Sequence, residues 1–174
     1  MYILSVISFL LLGGFLLLAA MRFGVPSMVS DVYYQLQGCT GSEVIGDKRK
    51  HNYGSVFTLV MFASAILMLI SLLDSEMGIQ FFAFLGCAGL MFVGFAPNYL
   101  NKDDYIVHKT AAIIAAIGGV GWCASVNLIP TLLLAIAVFI IYFSPAKKPN
   151  FVVYYWAEVA GFLDMYLTYW ICAS

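Results

Sequence analysis

Two carboxylates, Glu158 and Asp164, stand within the last long apolar run of the chain. An ionised acid is costly in hydrocarbon, so an acid placed there must face other helices, find hydrogen-bond donors or carry a proton. The donors on offer are Ser, Thr, Tyr, Trp and Asn side chains, which suit a neutral or proton-sharing carboxyl. Six helical positions turn through roughly 600°, leaving the two side chains about 120° apart. They are therefore not a paired-carboxylate dyad. Either acid suits a proton carrier or a headgroup ligand; the alternative is an acid bonded to neighbouring helices for orientation.

A second group is Asp103, Asp104 and His108, where Asp104 and His108 are four apart and can meet on one helix face. Metal or catalytic work would need further groups from Asp31, His51 or Glu158. The plainer reading is a capping acid at a helix N-terminus beside an interfacial histidine. Ser27, Ser30 and Asp31 lie in a stretch of turn formers and aromatics, residues 24–34, that can fold back into the interface and offer polar groups to a headgroup. Turn and cap chemistry accounts for the same residues without a ligand. Cys123 and Cys172 fall at matching depth in separate runs and are candidates for a disulfide if their Cα atoms come within about 7 Å. Cys39 and Cys87 have no activating neighbour in sequence. No Cys-x-x-Cys or His-x-x-x-His spacing occurs, so no metal centre, cofactor or redox motif is expected.

The elements that must position these groups follow from composition. With 63% hydrophobic and 10% charged residues and a mean hydropathy of +0.97, the chain has too little polar surface to cover a water-soluble globule. A net charge of -1 argues against a phosphate-tracking surface and so against a nucleic-acid partner. A span needs about 20 apolar residues. Six segments are expected to cross: 2–23, 55–73, 79–96, 106–125, 128–143 and 151–171. Their apolar runs are continuous rather than alternating, which predicts helices and not barrel strands. The expected fold is an all-α, polytopic six-transmembrane-helix bundle, one domain over residues 1–174.

Orientation comes from the cations. All 8 Lys and Arg residues (Arg22, Lys48, Arg49, Lys50, Lys102, Lys109, Lys147 and Lys148) belong to the loops after the first, third and fifth spans or their flanks. Such segments stay cytoplasmic, which places both termini outside the cytoplasm. The first run ends in Leu18-Ala19-Ala20 like a signal sequence, but it lacks a basic leader and Arg22 follows it, so it reads as a retained helix. Residues 35–52 read as the longest exposed loop, and Lys48-Arg49-Lys50-His51 would attract anionic lipid.

Small residues predict where helices touch. The fourth run carries Ala112, Ala116 and Gly119 on one stripe and Ala111, Ala115 and Gly118 on the next, and is expected to be central. The third offers Ala83, Gly86, Gly89 and Gly94 and should be its antiparallel neighbour. Tyr154, Tyr155 and Trp156, and at the other end Tyr166, Tyr169 and Trp170, are expected as interfacial belts.

The loop Pro26-Ser27-x-x-Ser30-Asp31, the stretch Val93-Gly94-Phe95-Ala96-Pro97 and the opening Val107-His108-Lys109-Thr110-Ala111-Ala112 together resemble DRAM/Sfk-type six-span membrane proteins and their bacterial relatives. The resemblance implies a role in membrane and lipid organisation rather than a defined reaction. Three readings follow. The first is a non-catalytic protein that binds lipid or a small ligand, with Ser27, Ser30, Asp31 and His108 near a cytoplasmic-side pocket. The second is a small proton-coupled carrier using Asp164 and Glu158, and the third a lipid-modifying hydrolase centred on His108. The expected surroundings are membrane lipid, with a second copy or another membrane protein as a partner, in a cell membrane of the bacterial inner-membrane type.

Overall fold

The computed structural model describes residues 2–38, 53–143 and 152–173. Among these, seven α-helices and one 3-10 turn account for the regular structure, and there is no strand. They are α1 (Tyr2–Phe23), the 3-10 turn Val29–Asp31, α2 (Val32–Gln37), α3 (Gly54–Asp74), α4 (Gln80–Phe95), α5 (Lys102–Val126), α6 (Leu128–Phe143) and α7 (Val152–Cys172). Three of them, α1, α3 and α5, are long and apolar enough to cross a membrane. α4 and α6 are apolar but have 16 residues each, short of the usual span of about 20. Cys39, Lys48, Arg49, Lys50, His51, Lys147 and Lys148 lie outside the described residues.

Capping residues set the helix ends. α5 starts four residues before the expected span because Asn101, and not an aspartate, caps it: the Asn101 side chain accepts the Asp103 N–H. Asp103 and Asp104 instead occupy the first turn, where a negative charge suits the helix dipole. Asn127 takes the same role for α6 by accepting the Ile129 N–H at 3.0 Å, and Pro130 follows in the first turn, where its missing N–H removes no helical bond. The chain after α1 is not a loop throughout. It turns back through the 3-10 turn into α2, which buries Val32, Tyr34 and Gln37 and ends at Gly38 in the left-handed region, φ 65°. Residues 35–37, expected in a long exposed loop, therefore belong to α2, and residues 39–52 of that expected loop lie outside the described residues.

The closest packing is between α4 and α5. A Cβ at Gly86 would lie 2.9 Å from the Gly119 nitrogen, and one at Gly118 would lie 2.3 Å from the Gly86 nitrogen. Gly89 faces Ala115 and Ala111 in the same manner. Since Gly86 meets Gly118 while the later Gly89 meets the earlier Ala115, the two helices run antiparallel. The seam is the stripe Ala111, Ala115 and Gly118; Gly119 turns toward Met165 of α7, and Ala116 is exposed. α5 is also not central, since Ile113, Ile117 and Val120 lie open along its outer side. The more enclosed helix is α3, which buries Phe57, Met61, Ala65, Met68 and Leu72.

α7 closes the arrangement by packing on α5, α6 and α1. Its second aromatic group faces inward rather than forming a belt. Tyr166 and Tyr169 are buried, the Tyr166 hydroxyl lies 2.7 Å from Ser8 Oγ, and the Trp170 indole donates to Ser5 Oγ at 2.9 Å. These polar atoms find partners on α1, which satisfies them away from water. At the other end of α7, Tyr154 and Trp156 are exposed as a belt requires, while Tyr155 is buried. α6 packs on the outside of α5 and α7 with Pro130 as its buried residue. Leu132, Leu133, Ile136, Phe139 and Ile140 are all exposed. An apolar surface of that extent suits hydrocarbon rather than water.

Candidate functional site

The described cations, Arg22, Lys102 and Lys109, belong to the last turn of α1 and the first two turns of α5, which lie at one end of the antiparallel bundle. Four segments meet there: the chain after α1, the α4–α5 connection, the start of α5 and the start of α7. Local sequence explains why each can turn in. Gly24 takes φ 84°, a left-handed conformation that glycine adopts without strain, and so reverses the chain after α1. Pro97 follows α4 and blocks its continuation.

Ser30 and His108 form the centre. Ser30 Oγ lies 3.0 Å from His108 Nε2, and His108 Nδ1 lies 2.8 Å from the Ala96 carbonyl oxygen. A carbonyl only accepts, so Nδ1 carries a proton; in the neutral ring Nε2 then accepts and the Ser30 hydroxyl donates. Ser30 is 5% exposed and His108 half-buried. The Tyr99 ring stacks at a tilt against the imidazole, with centroids 5.3 Å apart.

Around this pair, both carboxylates tie the loop down. The Met28 N–H donates to Asp31 Oδ2 at 3.1 Å, and the Tyr99 hydroxyl donates to Asp31 Oδ1. The Val29 N–H donates to Glu158 Oε2 at 2.5 Å. The Tyr155 N–H, one of the amides that a helix start leaves without an intrahelical partner, donates to the Ser27 carbonyl at 3.1 Å. Tyr34 of α2 completes the group: its hydroxyl donates to Asn98 Oδ1 at 3.3 Å and accepts the Leu100 N–H at 3.0 Å. Burial raises the Tyr99 hydroxyl pKa above the ordinary tyrosine value, and the bond to Asp31 and its charge add to the effect.

The structure thus gathers Ser30, Asp31, His108 and Glu158 at one site, with Ser27 joining through its backbone. It does not bring Asp104 to His108: both imidazole nitrogens are occupied, by Ser30 and by Ala96. Tyr99, Tyr34 and Asn98 are members that the sequence reading missed. An aromatic and amide pair directly after Pro97, in a short connection beside the histidine helix, was the signal that pointed to them.

Asp164 is elsewhere. It is 4% exposed, accepts from Thr168 Oγ1 at 3.4 Å, and sits against the Cys123 thiol of α5. Cys123 and Cys172 are both free, so the candidate disulfide is not formed. Cys123 is buried against Thr168 and Asp164, whereas Cys172 is exposed beside Asn127. Matched depth did not give matched direction. A cavity of about 20 Å³ lies in the core between Leu12, Ser64, Cys87, Met165 and Tyr166, room for about one water; neither Asp164 nor Glu158 lines it. Among the described residues, no group of three His, Cys, Asp or Glu side chains is placed to hold a metal ion. Comparison with protein-family models, with curated proteins and with solved structures finds no match for this chain.

Proposed function

We propose that this chain is a six-span integral membrane protein, with both termini outside the cytoplasm, that binds the polar part of a membrane lipid or a small ligand at its basic, cytoplasmic end. The observation that carries the reading is the convergence of Ser30, Asp31, Tyr99, His108 and Glu158 from four chain segments at the end where Arg22, Lys102 and Lys109 lie. Polar groups assembled at the edge of an apolar bundle meet lipid where headgroups begin. The helices α4, α6 and α7 supply the remaining three crossings, the two short ones with little tilt. This layout keeps to the DRAM/Sfk-type pattern, in which lipid organisation rather than a defined reaction is implied.

Two measurements test it. In a cysteine-free background, Glu76→Cys should react with a membrane-impermeant maleimide on intact cells, and Lys102→Cys should react only after permeabilisation; the reverse result overturns the orientation. Native mass spectrometry of the purified chain should show a retained lipid or ligand that is lost in a Ser30→Ala, Asp31→Asn double variant. A wild-type chain that flies without any bound molecule overturns the binding reading.

A carrier mechanism through Asp164 and Glu158 would need a wet path to the buried acid. The core cavity, which borders neither of them, gives that reading no support.

A further inference from the structure

Ser30, His108 and Ala96 form a chain of three groups in which a hydroxyl donates to an imidazole whose other nitrogen is held by an acceptor. Nucleophilic serines are activated in this way: the base must be within hydrogen-bond reach of the hydroxyl and must itself be oriented by a third group. Here the two distances are 3.0 Å and 2.8 Å, and the orienting group is a backbone carbonyl rather than a carboxylate. Two features fix the serine further. The Val29 N–H, on the residue before it, is bonded to Glu158, and the Asp31 carboxylate, on the residue after it, is bonded to Met28 and Tyr99. The residues on either side of the serine are therefore tied to α7, through Glu158, and to the α4–α5 connection, through Tyr99.

We infer that Ser30 is a nucleophile toward acyl esters, with His108 as its general base, and that the substrate class is the ester of a membrane lipid. The lipid assignment rests on the proposed membrane reading and on location. Phe23, Val25, Ile106 and Val107 are exposed apolar side chains near the same end as the exposed Arg22, Lys102 and Lys109, so Ser30, itself 5% exposed, is buried just inside the end of the bundle where hydrocarbon gives way to headgroups, the depth of lipid ester carbonyls. In the reaction, Ser30 Oγ bonds to the acyl carbon as its proton passes to His108 Nε2. The carbon–oxygen bond to the alcohol then breaks, and the alcohol leaves with that proton. Water, deprotonated by His108, next attacks the acyl-serine and releases the acid, which restores the hydroxyl. Ester and water become acid and alcohol, with no other reactant.

The test is covalent labelling of the full chain in detergent micelles with an alkyl fluorophosphonate. Ser30 Oγ would attack phosphorus, fluoride would leave, and the protein would gain one phosphonyl group. The expected result is a single adduct on the peptide containing Ser30, with a labelling rate that falls about 100-fold or more in His108→Ala, the usual range for loss of a general base. Ser55→Ala, at an exposed serine in the first turn of α3, should label as the wild type does. Because the wild-type chain alone decides the matter, a poorly folded Ser30→Ala variant does not obscure it. An unlabelled wild type, or an adduct on Ser27 or Tyr99, overturns the inference. Lipid retained in native mass spectrometry together with an unlabelled Ser30 would leave the binding reading standing and remove the nucleophile; a labelled Ser30 in a chain that retains no lipid would do the opposite.

Discussion

The middle of the bundle and its basic end are held by opposite means. Between α4 and α5, contact depends on side chains that are missing: Gly86, Gly89 and Gly118 let backbone touch backbone, where a single Cβ would meet main-chain atoms at 2.3 to 2.9 Å. At the basic end, contact depends on side chains that are long and polar, with Tyr34, Tyr99, His108 and Glu158 each reaching a distant segment. The first device suits a medium where apolar burial offers little drive and close dispersion contact is the main attraction between helices. The second suits a boundary where backbone groups outside helices must be satisfied by something other than water. A membrane protein needs both, and here they are separated along the bundle axis.

Substitutions at the seam should therefore have the largest effects. Gly118→Ala puts a Cβ against the Gly86 backbone at 2.3 Å, and no flexible side chain can give way. The expected cost is about 3 kcal/mol, the upper range for overpacking, read as a lower midpoint of thermal unfolding in detergent. Gly161→Ala, where a Cβ meets nothing within 4 Å, is the control and should be close to neutral. If both variants melt together, the seam is not where the structure puts it.

Next in size is the basic end. His108→Ala removes the partner of both Ser30 and the Ala96 carbonyl, and leaving such groups unmet when buried costs about 1–3 kcal/mol. Glu158→Ala leaves the Val29 N–H without its acceptor, with a similar expected loss. Glu158→Gln keeps a carbonyl oxygen in place and should restore most of it. An equal loss in Glu158→Gln and Glu158→Ala would show that charge rather than acceptance of the Val29 bond matters.

The same contrast explains what could be read from the sequence. The helices were legible because apolar runs and their breakers are local signals, and the α4–α5 pairing because small residues recur at helical spacing. Which of the two α5 stripes faces α4 was not legible: Ala112–Ala116–Gly119 and Ala111–Ala115–Gly118 are equivalent by composition and differ only in how the whole helix is rotated. Ser30, Asp31, His108 and Glu158 could be named as candidates because polar groups are rare in this chain. Their partners could not, since Tyr99 and Tyr34 look like ordinary aromatic residues until the loop between α1 and α2 is folded back. For the same reason the inward turn of Tyr166 and Tyr169 was hidden, because a tyrosine near a helix end serves a belt or a buried bond equally well.

A smaller effect is expected from pH. Tyr99 keeps its proton more firmly in the folded chain than in the unfolded one, because of burial first and then Asp31. The folded value lies above the ordinary value of about 10, so this contribution is complete below about pH 10 and is lost as the solution becomes more alkaline. Through this contribution, thermal midpoints should hold from pH 8 to about 10 and fall above it in the wild type, and fall less in Tyr99→Phe. Equal slopes would remove Tyr99 from the set of groups that hold the loop. Because the side chain is half-buried, solvent screening keeps the difference modest.

The smallest effect belongs to a buried acid that follows neither device. Asp164 is nearly as buried as the seam, yet it is polar like the basic end, and its bond from Thr168 is long at 3.4 Å. A weak bond between side chains four apart on one helix adds little to helix association, so Thr168→Val should cost about 0.5–1 kcal/mol, the low range for a hydrogen bond. Asp164→Asn keeps the acceptor oxygen and adds a donor facing Cys123, and should be milder still in the same melting assay. If Asp164→Asn proved as damaging as Gly118→Ala, the acid itself would be a main tie between α5 and α7, and the division between a middle held by small residues and an end held by polar ones would no longer hold.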